Sequence, residues 1–253
     1  MSTHLIIPDQ HFTPEHGHER ADYLAQLICD VKPDVVINIG DSADLSSLSS
    51  YDKGKKSFHG RSYLADIEAH LEGQDRIWSP VFRRKKRLPR RIFCVGNHED
   101  RITRAVELSP ELTGTLDLKD LRLDDFYTEV VPYEGRTPGR IIVDGITYAH
   151  YLVSGVAGRP VGGEHPASSL IRGTLTSATV GHLHLADWST RRTADGRRLH
   201  GLFAGCYLDY DPAFAGNATG LWWRGVAVKR NVSEGNYDLQ MISLDALKAE
   251  YGS

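Results

Sequence analysis

The sequence predicts an α/β fold. Three observations carry that reading: short apolar runs alternate with longer amphipathic ones, the early apolar runs end in clusters of Gly, Asp, Asn and His, and no internal repeat or low-complexity tract interrupts the alternation. The chain has 253 residues, 40% hydrophobic and 25% charged, which suits a soluble protein able to bury a sizeable core without covalent staples. No Pro/Gly/Ser linker divides it, so residues 1–253 read as one domain. A formal net charge of −3 excludes a whole-molecule electrostatic match to nucleic acid or to an anionic membrane. Any polyanion site has to be local. No apolar window approaches the length of a membrane span, and Thr3-His4-Leu5-Ile6-Ile7, stopped by Pro8-Asp9, lacks the pattern of a signal peptide. The expected location is cytoplasmic. Cys29, Cys94 and Cys206 each sit beside apolar residues and read as reduced core thiols.

In chain order, His4 to Ile7 reads as a first strand, and Pro14 to Val31 as a first helix with Tyr23, Leu24, Leu27 and Ile28 at helical spacing. Val35 to Ile39 is a continuous apolar run suited to a buried second strand. Ser62 to Arg84 repeats the helical pattern through Leu64, Ile67, Leu71, Trp78 and Phe82, and Arg91 to Val95 is a third strand. This βαβαβ start implies parallel strands with right-handed crossovers. Beyond Tyr127 the pattern shifts to strands: Tyr127 to Val131, Arg140 to Val143, Ile146 to Ala149, Ala178 to Val180, and hairpins turning at Ala194-Asp195-Gly196 and Gly235-Asn236. Pro166 to Gly173 and Leu244 to Tyr251 look helical. The second half therefore reads as a mostly β layer packed on the first.

The polar residues of interest lie where these strands end. The first runs into Asp9-Gln10-His11, the second into Gly40-Asp41-Ser42-Ala43-Asp44, and the third into Gly96-Asn97-His98-Glu99. The strand ending at Ala149 meets His150, and the one ending at Val180 meets Gly181-His182-Leu183-His184. Ligands of open α/β sheets bind beyond the carboxyl ends of the strands, so five segments are expected to converge. They supply carboxylates, imidazoles and an amide carbonyl without thiolates, the donor set of a divalent transition-metal site. One imidazole at a strand end is commonly a structural residue. Twelve fixed letters in four local patterns are not explained that way.

Asp-x-His, Gly-Asp-x-x-Asp, Gly-Asn-His-Glu, a lone His and Gly-His-x-His, in that order across residues 9–184, resemble the calcineurin-like metallophosphoesterase superfamily. The chain is also similar to bacteriophage-encoded members. The resemblance implies a four-layer αββα sandwich of two mixed β-sheets flanked by helices, and a centre of two divalent metal ions such as Mn, Zn, Fe, Ni or Co. Asp9, His11, Asp41 and His184 would hold one ion. Asp41, Asn97, His150 and His182 would hold the second, with Asp41 bridging. His98 would stand beside the substrate as proton donor with Asp44 orienting it, and Glu99 would hold the turn. A hydroxide between two cations is then the expected nucleophile, and an imidazolium held by a carboxylate suits protonation of the leaving alkoxide. For Asp44 the alternative is a plain helix cap.

Departures from the family pattern bear on the substrate. In the serine/threonine phosphatase branch an Arg-Gly pair follows Gly-Asp-x-x-Asp; here Leu45-Ser46 follows, so the bidentate fork for a monoester is missing. Arg101 is the candidate replacement and otherwise a surface arginine. Tyr151 follows His150 where Gly is common, and offers either a ring for stacking on a base or simple packing. The expected activity is hydrolysis of phosphodiesters of nucleotide or nucleic-acid type. Phosphomonoester hydrolysis is the alternative. A non-catalytic scaffold of the same fold is the third reading, against which stands the presence of His98 and of every ligand position. Residues 83–91 carry seven basic side chains, which leaves −10 for the rest of the chain. Their bland reading is a solvated helix end, and their functional one a distal nucleic-acid contact. Gly155 to Gly163, containing Arg159, reads as a flexible loop, and Lys53, Lys55 and Lys56 belong to an insertion after Asp44. His16, His18, His59 and His165 are expected at the surface.

Overall fold

The computed structural model describes residues 1–84, 87–212 and 215–252. In chain order the elements are β1 (Ser2–Ile7), α1 (Glu19–Val31), β2 (Val35–Asn38), α2 (Tyr63–Arg84), β3 (Arg90–Cys94), α3 (Asp100–Leu108), α4 (Leu123–Phe126) and β4 (Glu129–Val131). There follow β5 (Tyr133–Glu134), β6 (Thr137–Pro138), β7 (Ile141–Val143), β8 (Ile146–Tyr148), β9 (Val153–Ser154), β10 (Arg159–Pro160) and α5 (Pro166–Thr174). Last come β11 (Ser177–Val180), β12 (Ala186–Arg192), β13 (Arg198–Ala204), β14 (Gly225–Ser233), β15 (Asn236–Ser243) and α6 (Leu244–Tyr251).

Two mixed sheets result. The first has the order β15-β14-β1-β2-β3-β4, with β1 to β4 parallel and the β14–β15 hairpin antiparallel against β1. The second has the order β12-β13-β11-β8-β7, parallel at β13-β11-β8 and antiparallel at both edges. Successive residues of a strand face opposite sides of its sheet, and here both sides are apolar. Leu5, Ile7, Val36, Phe93, Val226 and Val228 face α1, α2 and α6 in one buried cluster. Ile6, Val35, Ile37, Ile92, Cys94 and Ala227 face the other way and pack on Val143, Ile146, Tyr148, Leu202 and Ala204 of the second sheet. Ala178, Val180 and Phe203 cover the far side of that sheet under α5. The order is helix, sheet, sheet, helix, the four-layer sandwich expected.

The C-terminal hairpin differs from the expectation that the second half forms its own layer. β14 pairs with β1 from Ser2↔Val232 to Ile6↔Ala227 and so extends the first sheet. α1 starts at Glu19 rather than Pro14, because residues 14–16 turn and bend and the Gly17 carbonyl is taken by Arg20 Nη1 at 2.9 Å. Cys94 and Cys206 are buried, and burial pushes both thiols up to about 12; Cys29 is half-buried. Among the described residues no helix is long and apolar enough to cross a membrane.

Candidate metal centre

The carboxyl ends of β1, β2 and β3 from one sheet and of β8 and β11 from the other point to one place. The donor atoms of Asp9, His11 and His184 lie within 4.8 Å of one another, as do those of Asp41, His150 and His182. Asp41 falls equally close to His11 and His98 and so stands between the two groups. His11 Nε2 is 3.2 Å from His184 Nε2, and His184 Nε2 is 3.5 Å from Asp9 Oδ1. On the other side His150 Nε2 lies 2.9 Å from Asn97 Oδ1 and 3.2 Å from Asp41 Oδ2. The seven side chains expected to form one centre are thus brought together, from segments up to 175 positions apart (Asp9 to His184). Asp9, His11, Asp41, His150 and His184 are buried there, and Asn97 and His182 line an adjoining cavity.

The donors fit divalent cations. Two imidazole Nε2 atoms facing each other at 3.2 Å beside a buried carboxylate either share one proton or, with both rings as acceptors, offer three donors to one cation. The partners of the opposite ring nitrogens leave Nε2 as the ligating atom: His150 Nδ1 donates to the Ile39 carbonyl at 2.9 Å, and His11 Nδ1 donates to Asp44 Oδ1 at 3.1 Å. Burial, helped by the neighbouring His98, pushes His11 down to about 4, and burial with His150 does the same to His182. Both are neutral at pH 7, the ligating form. Burial alone would raise Asp41, but His150 and His98 overcome it and hold the carboxyl well below its ordinary range. Burial would likewise depress His150, and Asp41 instead lifts it to about 9.

The local backbone is unusual in a way that serves this geometry. Asp9, His11, Asp41, His182 and His184 all have positive φ, five of the twelve non-glycine residues that do among those described. Such strain persists only where the surroundings impose it. Gly96 and Gly181 give the carboxylates room, since a Cβ at either would collide with Asp41 Oδ1 or Asp9 Oδ2 respectively. Glu99, fully buried, ties two of the loops together: Oε2 accepts from the Gly96 and Asp41 amides at 2.8 and 3.0 Å, and Oε1 from Ser42 and Ala43 at 2.8 and 3.0 Å. Asp9 in turn accepts from the His182 amide through Oδ1 at 3.0 Å, linking the two sheets.

His98 stands at the edge of the centre, its ring centroid 4.5 Å from that of His11 and its Nε2 3.8 Å from Asp41 Oδ2. Its Nδ1 donates to the Asp44 carbonyl at 2.6 Å, while the Asp44 carboxylate is 3.4 Å from the same nitrogen and closer to His11. Asp44 therefore contacts both imidazoles, and their hydrogen bonds hold its carboxyl low against burial. Arg101 Nη1 donates to the Asp44 and Leu45 carbonyls at 2.8 and 3.3 Å, and Nη2 lies 3.0 Å from His98 Nε2. Tyr151 has its ring 4.9 Å from that of His182. Arg101 and Tyr151 both line a cavity of about 400 Å³ that opens beside Asn97 and His182.

Several supporting residues carry no sequence motif. Tyr210 Oη donates to the His11 carbonyl at 2.8 Å, the Trp222 ring meets His184 edge-on at 4.2 Å, and the Tyr207 and Trp223 amides bond the Asp9 and His184 carbonyls at 2.9 and 3.0 Å. Tyr207, Tyr210, Trp222 and Trp223 thus clamp two ligand loops, and their only advertisement is aromatic density. Arg20, buried, donates to the carbonyls of Gln10 and Tyr207 and pairs with Asp209 at 2.8 Å. Of the four histidines expected at the surface, His18 is buried, because its Nε2 donates to the Thr13 carbonyl at 3.2 Å under the Phe12 ring, while His16, His59 and His165 are exposed. The Gly155–Gly163 loop contains β10, which pairs antiparallel with β9 just before the loop. In the basic run, Arg90 pairs with Glu129 at 2.6 Å and Arg91 donates to the Phe126 carbonyl at 2.7 Å; Lys85 and Lys86 lie outside the described residues.

No family model and no curated protein matches the sequence. Among solved structures the chain is similar to an archaeal phosphodiesterase (12% identity, 95% of this chain and 99% of that one, TM-score 0.41). It is similar to YfcE, a phosphoesterase from E. coli (11% identity, 96% and 99% covered, TM-score 0.41). A third is the Pseudomonas putida nuclease MPE (11% identity, 94% and 87% covered, TM-score 0.38). The four-layer sandwich and the gathered Asp, His and Asn side chains are both what the motif resemblance to calcineurin-like metallophosphoesterases leads one to expect.

Proposed function

We propose that this chain is a calcineurin-like metallophosphoesterase that hydrolyses phosphodiesters at a centre of two divalent metal ions. The observation that carries the proposal is the pair of buried donor groups meeting at Asp41. Asp9, His11, Asp41 and His184 would hold one ion, and Asp41, Asn97, His150 and His182 the other. Such a pair supplies charge neutralisation for a phosphoryl group and acidifies water at neutral pH. The chain's own residues do the rest. Asp44 and the Ile39 carbonyl fix the tautomers of His11 and His150, and Glu99 fixes the loop that presents Asp41. His98, with Nδ1 committed to Asp44, turns Nε2 toward the cleft, where it would deliver a proton to the leaving oxygen; Arg101 Nη2 must move off that nitrogen for the transfer.

Arg101 supports diester over monoester. A monoester dianion calls for cationic forks beyond the metals. The terminal nitrogens of Arg101 are engaged by Asp44, Leu45 and His98, so the position after the Gly-Asp-x-x-Asp motif is not refilled by a free fork. Metal analysis with paired nitrophenyl mono- and diesters tests the reading. Two ions per chain and a higher kcat/KM for the diester are expected, and a tenfold monoester preference would replace the proposal with the phosphomonoesterase alternative.

A further inference from the structure

The cavity beside Asn97 and His182 has a lining of particular chemistry. Leu48, Leu108 and Leu112 give it an aliphatic wall, and Tyr51 and Tyr151 add two aromatic rings. Lys53, Arg101 and Arg104 also line it, and no carboxylate does, in a chain with more acidic than basic residues. The cations differ in how far they are engaged. Arg101 is tied to Asp44, Leu45 and His98, and Arg104 donates to the Asn97 carbonyl at 2.8 Å and pairs with Asp100 at 3.1 Å. Lys53 has no ion pair or hydrogen bond among the described residues. Tyr51 is 82% exposed although it lines the cavity, so its ring face is open to a partner.

We propose that this cavity seats one ester substituent of the substrate and that the substituent is a nucleotide unit, its base against Tyr51 and Tyr151 and a second phosphate on Lys53. The inference rests on the phosphodiesterase reading and adds to it which side of the centre the substituent occupies and which residues select it. An aromatic face takes any base, because every base has a π-face. An unpaired cation in a carboxylate-free wall asks for a second anionic group, which an acyl chain would not bring to it. Tyr51 and Lys53 belong to the insertion after Asp44 rather than to any ligand motif.

Equilibrium binding separates this proposal from the catalytic one. Adenosine 5′-monophosphate, adenosine and dodecyl phosphate are titrated into the full-length chain, once with Mn²⁺ and once after chelation. After chelation the nucleotide should bind at least fivefold tighter than adenosine. Lys53→Ala should abolish that preference, and Tyr51→Ala should weaken both ligands at least fivefold, as loss of a stacked base does. With Mn²⁺, the loss of kcat/KM in either variant should be at least tenfold larger for a 5′-phosphorylated dinucleotide than for bis(p-nitrophenyl) phosphate. No nucleotide binding, binding that neither variant changes, or tighter binding of dodecyl phosphate would each overturn the subsite. Hydrolysis of bis(p-nitrophenyl) phosphate by the wild-type chain reports on the catalytic reading independently.

Discussion

Glu99→Gln is a nearly isosteric change with a large expected cost. The native carboxylate accepts four backbone amides, two on each oxygen, at 2.8 to 3.0 Å, in a fully buried site. A glutamine side chain offers one carbonyl oxygen. Two of the four amides must then face an NH₂ group, donor against donor, whichever way the amide is flipped. Each orphaned buried donor costs about 1–3 kcal/mol, so the pair costs about 2–6 kcal/mol, a large share of the ~5–15 kcal/mol that stabilises a folded protein. The orphaned amides include either Gly96 and Asp41 or Ser42 and Ala43, so the loop that presents Asp41 shifts in both cases. Urea unfolding should therefore show an unfolding free energy lowered by that amount, read as a lower midpoint at unchanged m value, and metal content should fall in the folded fraction. A variant within 1 kcal/mol of wild type that keeps full metal content would refute the tethering role.

Asp41→Asn should lose activity and bound metal together, since a neutral amide bridges two cations poorly; two ions per chain with full activity would remove the bridging assignment. His98→Ala should retain metal yet lose about 10²–10⁴ in turnover, less for esters with acidic leaving groups that depart unprotonated. Lys229 is buried between the sheets beside His4, Tyr148, Tyr237 and Thr179, and burial holds its amine well below the usual 10.5. The unfolded chain then binds one more proton than the folded one in the window below pH 10.5, so stability rises with pH there by about 1.4 kcal/mol per unit and falls on acidification. Lys229→Met should remove that slope just below pH 10.5, measured by urea unfolding.

What was legible in the sequence was local. Each motif lies within a few residues of a strand end marked by an apolar run, with Gly40, Gly96 and Gly181 at three of the five, so the segments could be singled out, and the resemblance added which of Asp9, His11, Asp41, Asn97, His150, His182 and His184 would share an ion. The sandwich was not readable from periodicity. Val35 to Ile39 and Ile92 to Cys94 are apolar on both faces, which announces burial without saying which face meets a second sheet. The pairing of β14 with β1 joins residues over 220 positions apart, and no local pattern encodes it. Tyr207, Tyr210, Trp222 and Trp223 escaped for the same reason. Asp44 shows the limit at a single residue: its motif suggested a carboxylate for His98, but Leu45 takes a left-handed conformation that turns the Asp44 carbonyl to His98, while the carboxylate lies closer to His11.

The distribution of charge follows from the same geometry. β3 carries Arg90 and Arg91 at its start and Asn97 just past its end, so the basic run and the metal centre lie at opposite ends of one strand. Arg90 is spent on Glu129 and Arg91 on the Phe126 carbonyl, with its guanidinium over the Phe82 ring at 5.2 Å. Arg90 thus joins β3 to β4, and Arg91 fastens the first sheet to α2 and α4. The cations that line the cavity beside the cluster are instead Arg101 and Arg104, both held by their own partners, and Lys53, which has no ion pair or hydrogen bond among the described residues. On the proposed phosphodiesterase reading, in a chain of net charge −3, attraction of the substrate would rest on the few cations around the cleft and on the ions the centre would hold.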